Sequence, residues 1–189
     1  MTQILREIKA KRYLSVKLQL LVAGFAVVAA VALPQLFHLI GALTGTGTML
    51  GIALLPMHLP IILAGLMAGP VAGALAGAMA PVISFALTGM PLAANLPLMV
   101  AELAVYGLVA GLFKKSSLPS IVKILVAQVA GRAVYLAAVM LAVYAAGRSD
   151  LGVLSALESF KAGVFGLLFQ WTLLPLLLYR IEHATEDGE

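Results

Sequence analysis

The sequence predicts an all-α integral membrane protein with six transmembrane helices and both termini on the cytoplasmic side. Three observations lead there. The first is composition: 62% of the 189 residues are hydrophobic and 11% charged, with a mean hydropathy of +1.08, whereas soluble domains carry about 25% charged residues. The second is that apolar blocks of spanning length recur along the chain, a span needing about 20 residues to cross about 30 Å of hydrocarbon. The third is charge: Arg6, Lys9, Lys11, Arg12 and Lys17 crowd the first seventeen positions, as a cytoplasmic membrane flank does. That clustering accounts for the formal charge of +4 without a nucleic-acid partner.

The elements follow in order. Residues 1–15 form a basic cytoplasmic segment, 16–180 the six-helix domain and 181–189 an acidic cytoplasmic tail. The start "REIKAKRYLSVK" before "LQLLVAGFAVVAAVAL" imitates a secretory signal, with small Ala30 and Ala32 ahead of a possible cut. The apolar stretch nevertheless runs on through Pro34 to Ile40, so the first span is expected over Val16 to Ile40. The polar loop "GALTGTGT" follows. Leu50 to Thr88 is nearly twice a span's length and is expected to fold back at Gly69 and Pro70, because Gly ends helices and Pro starts them. The second span is then Leu50 to Met67 and the third Pro70 to Leu87. The fourth covers Leu92 to Phe113, the fifth Leu118 to Ala146 and the sixth Ser155 to Arg180. Charge checks the fold-back independently: Lys114, Lys115 and Lys123 must share a side with the N-terminal cluster, which requires an even number of spans between them.

Helix-weakening residues concentrate in "LPMHLPIILAGLMAGPVAGALAGAMAP", residues 55–81. Gly73 and Gly77, beside a stripe of Ala72, Ala76 and Ala80, suit close helix packing. Pro56 and Pro60 each remove a backbone donor from the second span, which a membrane helix tolerates where it is buried in protein or lines a cavity.

Ionisable groups inside a membrane are costly and mark candidate sites. The alternating directions of the spans bring His58, Glu102 and Arg132 to the middle of the membrane and Gln170 somewhat further in, with Asn95, Tyr135 and Trp171 to either side. Glu102 and Arg132 either pair with each other to lock two helices or serve a ligand. Gln128, one turn before Arg132, is placed to orient the guanidinium, while His38, Glu158 and Lys161 read as solvated interfacial groups. There are no cysteines, and neither an H-E-x-x-H zinc site, a G-x-S-x-G elbow nor a Walker loop occurs, so no catalytic set, metal or cofactor is expected.

The ordered set "LLPMHLPIILAGLMAGPVAGALAG", "SFALTGMP", "AELAVYGLVAGL" and "AGRAVY" resembles the S components of energy-coupling factor (ECF) transporters over about residues 13–180. That resemblance implies a six-helix protein of the prokaryotic cytoplasmic membrane that captures a vitamin or similar micronutrient from outside. Its implied partners are a membrane coupling subunit and two ABC-type ATPases. It also implies a coupling surface on the first helix at A-x-x-x-A spacing, which Ala26 and Ala30 match, although packing within the chain explains the pair equally well. It places a substrate pocket in the outer half, for which Asn95, Glu102, Arg132, Tyr135 and Trp171 are the expected lining and His58 with "TGTGT" the wall or lid. Glu102 accepts donors and Arg132 offers forked donors, a set that suits a pyridoxine-like vitamin or a queuosine-type base precursor. Two other classes stand beside this one: a membrane-embedded enzyme acting on a lipid or isoprenoid through His58 and Glu102, and a structural scaffold locked by the Glu102 and Arg132 pair.

Overall fold

The computed structural model describes residues 13–47, 49–145, 147, 158, 160–161 and 163–183, with the backbone alone at Leu50, Ile52, Glu182 and His183. Among these every regular element is helical: α1 (Val16–Thr44), α2 (Met49–Leu54), α3 (His58–Ala68), α4 (Pro70–Thr88), α5 (Leu96–Leu112) with a 3-10 turn at Phe113–Lys115, α6 (Ser120–Tyr144) and α7 (Val164–His183). Five helices are long and apolar enough to cross a membrane: α1, α4, α5 with its 3-10 turn, α6 and α7. Arg6, Lys9, Lys11, Arg12, the expected start of the last span at Ser155 and the tail beyond His183 lie outside the described residues.

The second span departs from the single helix expected over Leu50 to Met67. It breaks at Leu55–Met57 into α2 and α3. The cause is in "LLPM": Pro56 has no N–H to continue the ladder and crowds the residue before it. Leu55 answers with φ 49°, a left-handed conformation that costs an L-residue about 1–2 kcal/mol. Its carbonyl accepts the His58 N–H at 3.1 Å, which starts α3.

The fold-back at Gly69 and Pro70 is where the sequence puts it, and three groups make it. Gly69 closes α3, its N–H bonding the Gly65 carbonyl at 3.0 Å. Its φ of 129° favours glycine, and a Cβ would crowd the Gln19 Oε1 at 3.0 Å. Gln19 then caps α4 from a distance, its Oε1 accepting the Ala72 N–H at 3.2 Å while its Nε2 donates to the Leu14 carbonyl. The end of α5 joins this turn, where buried Lys114 Nζ donates to the Met67 carbonyl at 2.6 Å. Lys115 sits over the Tyr13 ring at 3.8 Å. The start of α1, the α3–α4 turn and the lysines after α5 therefore occupy one end of the bundle.

Helix α5 is the hub, packed against α3, α4 and α6. It meets α4 with almost no side chain between: Gly73 and Gly107 fill each other's Cβ space, and the Leu103 carbonyl fills that of Gly77. The Ala72, Ala76 and Ala80 stripe is wholly buried. Close approach of this kind replaces hydrophobic driving force with dispersion contact between membrane helices.

Helix ends moved by a few residues for local reasons. Helix α1 runs on to Thr44 and stops where Gly45 takes a left-handed φ of 74°. Helix α5 begins at Leu96 rather than Leu92, with Pro97 in its first turn.

Candidate functional site

Four elements contribute to one buried polar layer. Arg132 of α6 donates from Nη1 to Glu102 Oε1 of α5 at 3.0 Å. The same oxygen accepts the Tyr106 hydroxyl, one turn along α5, at 3.0 Å. The Tyr106 ring in turn packs on His58 at the start of α3, with centroids 5.1 Å apart at 60°. Gly131 permits this, since a Cβ there would meet the Tyr106 ring at 2.7 Å. A second network lies beside the first. Trp171 Nε1 donates to Gln128 Oε1 at 2.6 Å, Gln128 Nε2 to Gln170 Oε1 at 3.0 Å, and Gln170 Nε2 to the Leu55 carbonyl at 3.2 Å. It ties α6 and α7 to the break in the second span.

Several polar atoms are left over. Among the described residues, the two ring nitrogens of His58, Nδ1 of His38, and Nε and Nη2 of Arg132 are buried with no hydrogen-bond partner. Most buried polar groups in proteins do have one. His58 is 4% exposed and the Arg132 side chain 16%. The Arg132 guanidinium lies over the Phe160 ring at 4.6 Å from its centroid.

His58 also lines a cavity of about 200 Å³ between α1, the break, α4 and the start of α5, with Gln35, His38, Ser84, Met57 and Met99. A groove of about 610 Å³ between α1 and α4 is larger, but only apolar residues line it. We assign the candidate site to the smaller cavity and the adjoining polar layer, where hydrogen-bonding groups converge.

The residues singled out in the sequence fall into three sets. His58, Glu102 and Arg132 share the first cluster. Tyr135 stands at its edge, its ring 5.9 Å from Phe160, and Trp171 belongs to the glutamine network. Asn95 is the residue before α5, half-buried and roughly 10 Å along the helix axis from Glu102. Gln128 holds Gln170 and Trp171 instead of orienting Arg132. His38 is a cavity wall and not simply a solvated group, whereas Glu158 and Lys161 are exposed. Ala26 and Ala30 are 7% and 0% exposed in the chain's own core.

Sequence reasoning passed over Tyr106, Phe160 and the part played by Leu55. Tyr106 carried a usable signal, being four residues after Glu102 on the same helix face. Leu55 carried none, since a backbone carbonyl is not written in a side chain.

Comparison with curated proteins and with solved structures returns no significant match. The family model described as "ECF transporter, substrate-specific component" matches residues 18–179, a span that runs from the first turn of α1 nearly to the end of α7 and takes in every residue of the polar layer. By that match this chain belongs to the substrate-specific components of ECF transporters, membrane subunits that capture a small-molecule substrate for uptake.

Proposed function

We propose that the chain captures a small water-soluble vitamin or related micronutrient, pyridoxine-like or queuosine-precursor-like, with high affinity from outside a prokaryotic cytoplasmic membrane. It does so as a bundle of six spans with cytoplasmic termini, and hands the cargo to a coupling subunit and two ABC-type ATPases whose cycle reorients the bundle. Glu102, Arg132 and His58 bind the polar atoms of the ligand, with Tyr135, Trp171 and Asn95 bounding the site. The observation that carries this reading is the set of donors and acceptors buried without partners on α3 and α6. A bundle built only for packing gains nothing from desolvating them.

The test is mass spectrometry of small molecules that co-purify with the detergent-solubilised chain, wild type beside Glu102→Ala and Arg132→Ala. A near-stoichiometric heterocycle, lost in a variant that still folds, is the expected result. An empty wild type that also binds no vitamin in a thermal-shift panel sinks the proposal. One observation favours a scaffold as second reading: Glu102 and Arg132 already pair within the chain. On that reading Arg132→Ala lowers stability and no ligand raises it.

A further inference from the structure

The Arg132 guanidinium is half used, and which half is informative. Nη1 is committed to Glu102; Nε and Nη2 are the unpartnered atoms. In a guanidinium, Nε–H and one Nη2–H form a single planar edge that grips two neighbouring acceptors at once. Phe160 lies across the face of the group, which leaves this buried edge as the part of the guanidinium that a ligand would have to reach. Gly163 borders it: a Cβ there would lie 3.5 Å from Nη2.

Geometry alone fits that edge to a carboxylate or a phosphate as well as to a neutral pair of acceptors. Charge separates them. Arg132 is 16% exposed at its side chain and Glu102 4%, and the carboxylate at 3.0 Å already balances the cation. The Tyr106 hydroxyl at 3.0 Å supports the carboxylate as an acceptor. A second anion on the open edge would share one positive charge with Glu102 in a poorly solvated site, where like charges a few ångströms apart repel strongly.

We infer that the ligand meets the Nε/Nη2 edge of Arg132 with an uncharged pair of adjacent acceptors, such as vicinal oxygens or a ring nitrogen beside a carbonyl, and that Glu102 is the residue excluding carboxylates and phosphates from it. This rests on the capture reading above. Glu102 is then a selectivity determinant acting through charge as well as a partner for Arg132.

The experiment uses the full chain in detergent and matched probes that share a ring and differ in charge: pyridoxine and 4-pyridoxate, the pair whose neutral member carries vicinal oxygens, with nicotinamide and nicotinate and uracil and orotate as further tests of charge alone. Binding is measured by equilibrium dialysis, together with the mass spectrometry of co-purified ligand. Wild type is expected to bind the neutral member of any bound pair at least about ten-fold more tightly. Glu102→Gln keeps an amide oxygen for Tyr106 and Arg132 but removes the charge, and is expected to shift that preference about ten-fold or more toward the carboxylate.

A wild type that binds the carboxylate as well as the neutral partner overturns the inference while leaving capture standing. So does a folded Glu102→Gln protein with unchanged preference. Should Glu102→Gln not fold, the wild-type preference alone decides. If no probe binds but a ligand co-purifies, an anionic ligand overturns the inference and a neutral one with adjacent acceptors sustains it. If nothing binds and nothing co-purifies, capture itself fails and the inference falls with it.

Discussion

Arg132, Glu102 and Tyr106 differ in what their loss should reveal. Tyr106→Phe removes one hydrogen bond to Glu102 but keeps the ring on His58. A single side-chain hydrogen bond contributes about 0.5–1.5 kcal/mol net, so thermal unfolding in detergent should show a loss below about 1.5 kcal/mol. Arg132→Ala leaves a carboxylate buried without its cation and should cost about 3–5 kcal/mol by the same assay. Equal losses in the two variants would mean that the ion pair is not the stronger contact. The ionisable members of this cluster were legible in the sequence because charged residues inside apolar blocks stand out. Tyr106 was legible only through its place one turn after Glu102, because a tyrosine alone is an ordinary resident of a membrane helix.

The break between α2 and α3 is the element that the glutamine network holds. Gln170 is fully buried and spends both ends of its amide, one on Gln128 and the other on Leu55. Gln170→Leu should strand the Gln128 Nε2–H and cost about 1–3 kcal/mol, while the Leu55 carbonyl keeps the His58 N–H as a partner. Thr172→Val is the control, since its exposed hydroxyl bonds only the Leu168 carbonyl of its own helix; its expected effect is within about 0.5 kcal/mol. Comparable thermal shifts for both would count against the network as the clamp. The two prolines made an interrupted second span readable in advance. Where the interruption falls was not, since Pro56 and Pro60 mark two possible points, and the second is accommodated in the first turn of α3.

For the whole molecule, the charge count and the structure converge on the same end, where Tyr13, Lys114, Lys115 and the Gly69 turn meet. The side of the membrane that this end faces is a separate matter and can be measured. The chain has no cysteine, so single substitutions report without background. With a membrane-impermeant maleimide on intact cells, Thr46→Cys in the loop after α1 should label from outside. Ser116→Cys, after the 3-10 turn, should label only once the membrane is permeabilised. The reverse pattern would invert the proposed topology. Hydropathy and charge were enough for the helical hairpin at Gly69 and for which ends neighbour each other; the hub position of α5 needed three-dimensional packing to emerge.

The Gly73 and Gly107 contact also limits how this chain can vary. Where two backbones touch, even one added methyl group has no room, and overpacking costs about 1–3 kcal/mol or more. Gly24 is the contrast, with nothing within 4 Å of the position a Cβ would take. A saturation library selected for folded protein should therefore show a comb of near-invariant glycines at 73, 77, 107 and 111, one tooth every helical turn on α4 and on α5. Free exchange among apolar residues is expected at Gly24 and at the outward-facing Val28 and Leu75. A seam that carries no charge and touches no ligand would then be held as constant as the Glu102 and Arg132 pair, leaving the lipid-facing positions as the part free to diversify.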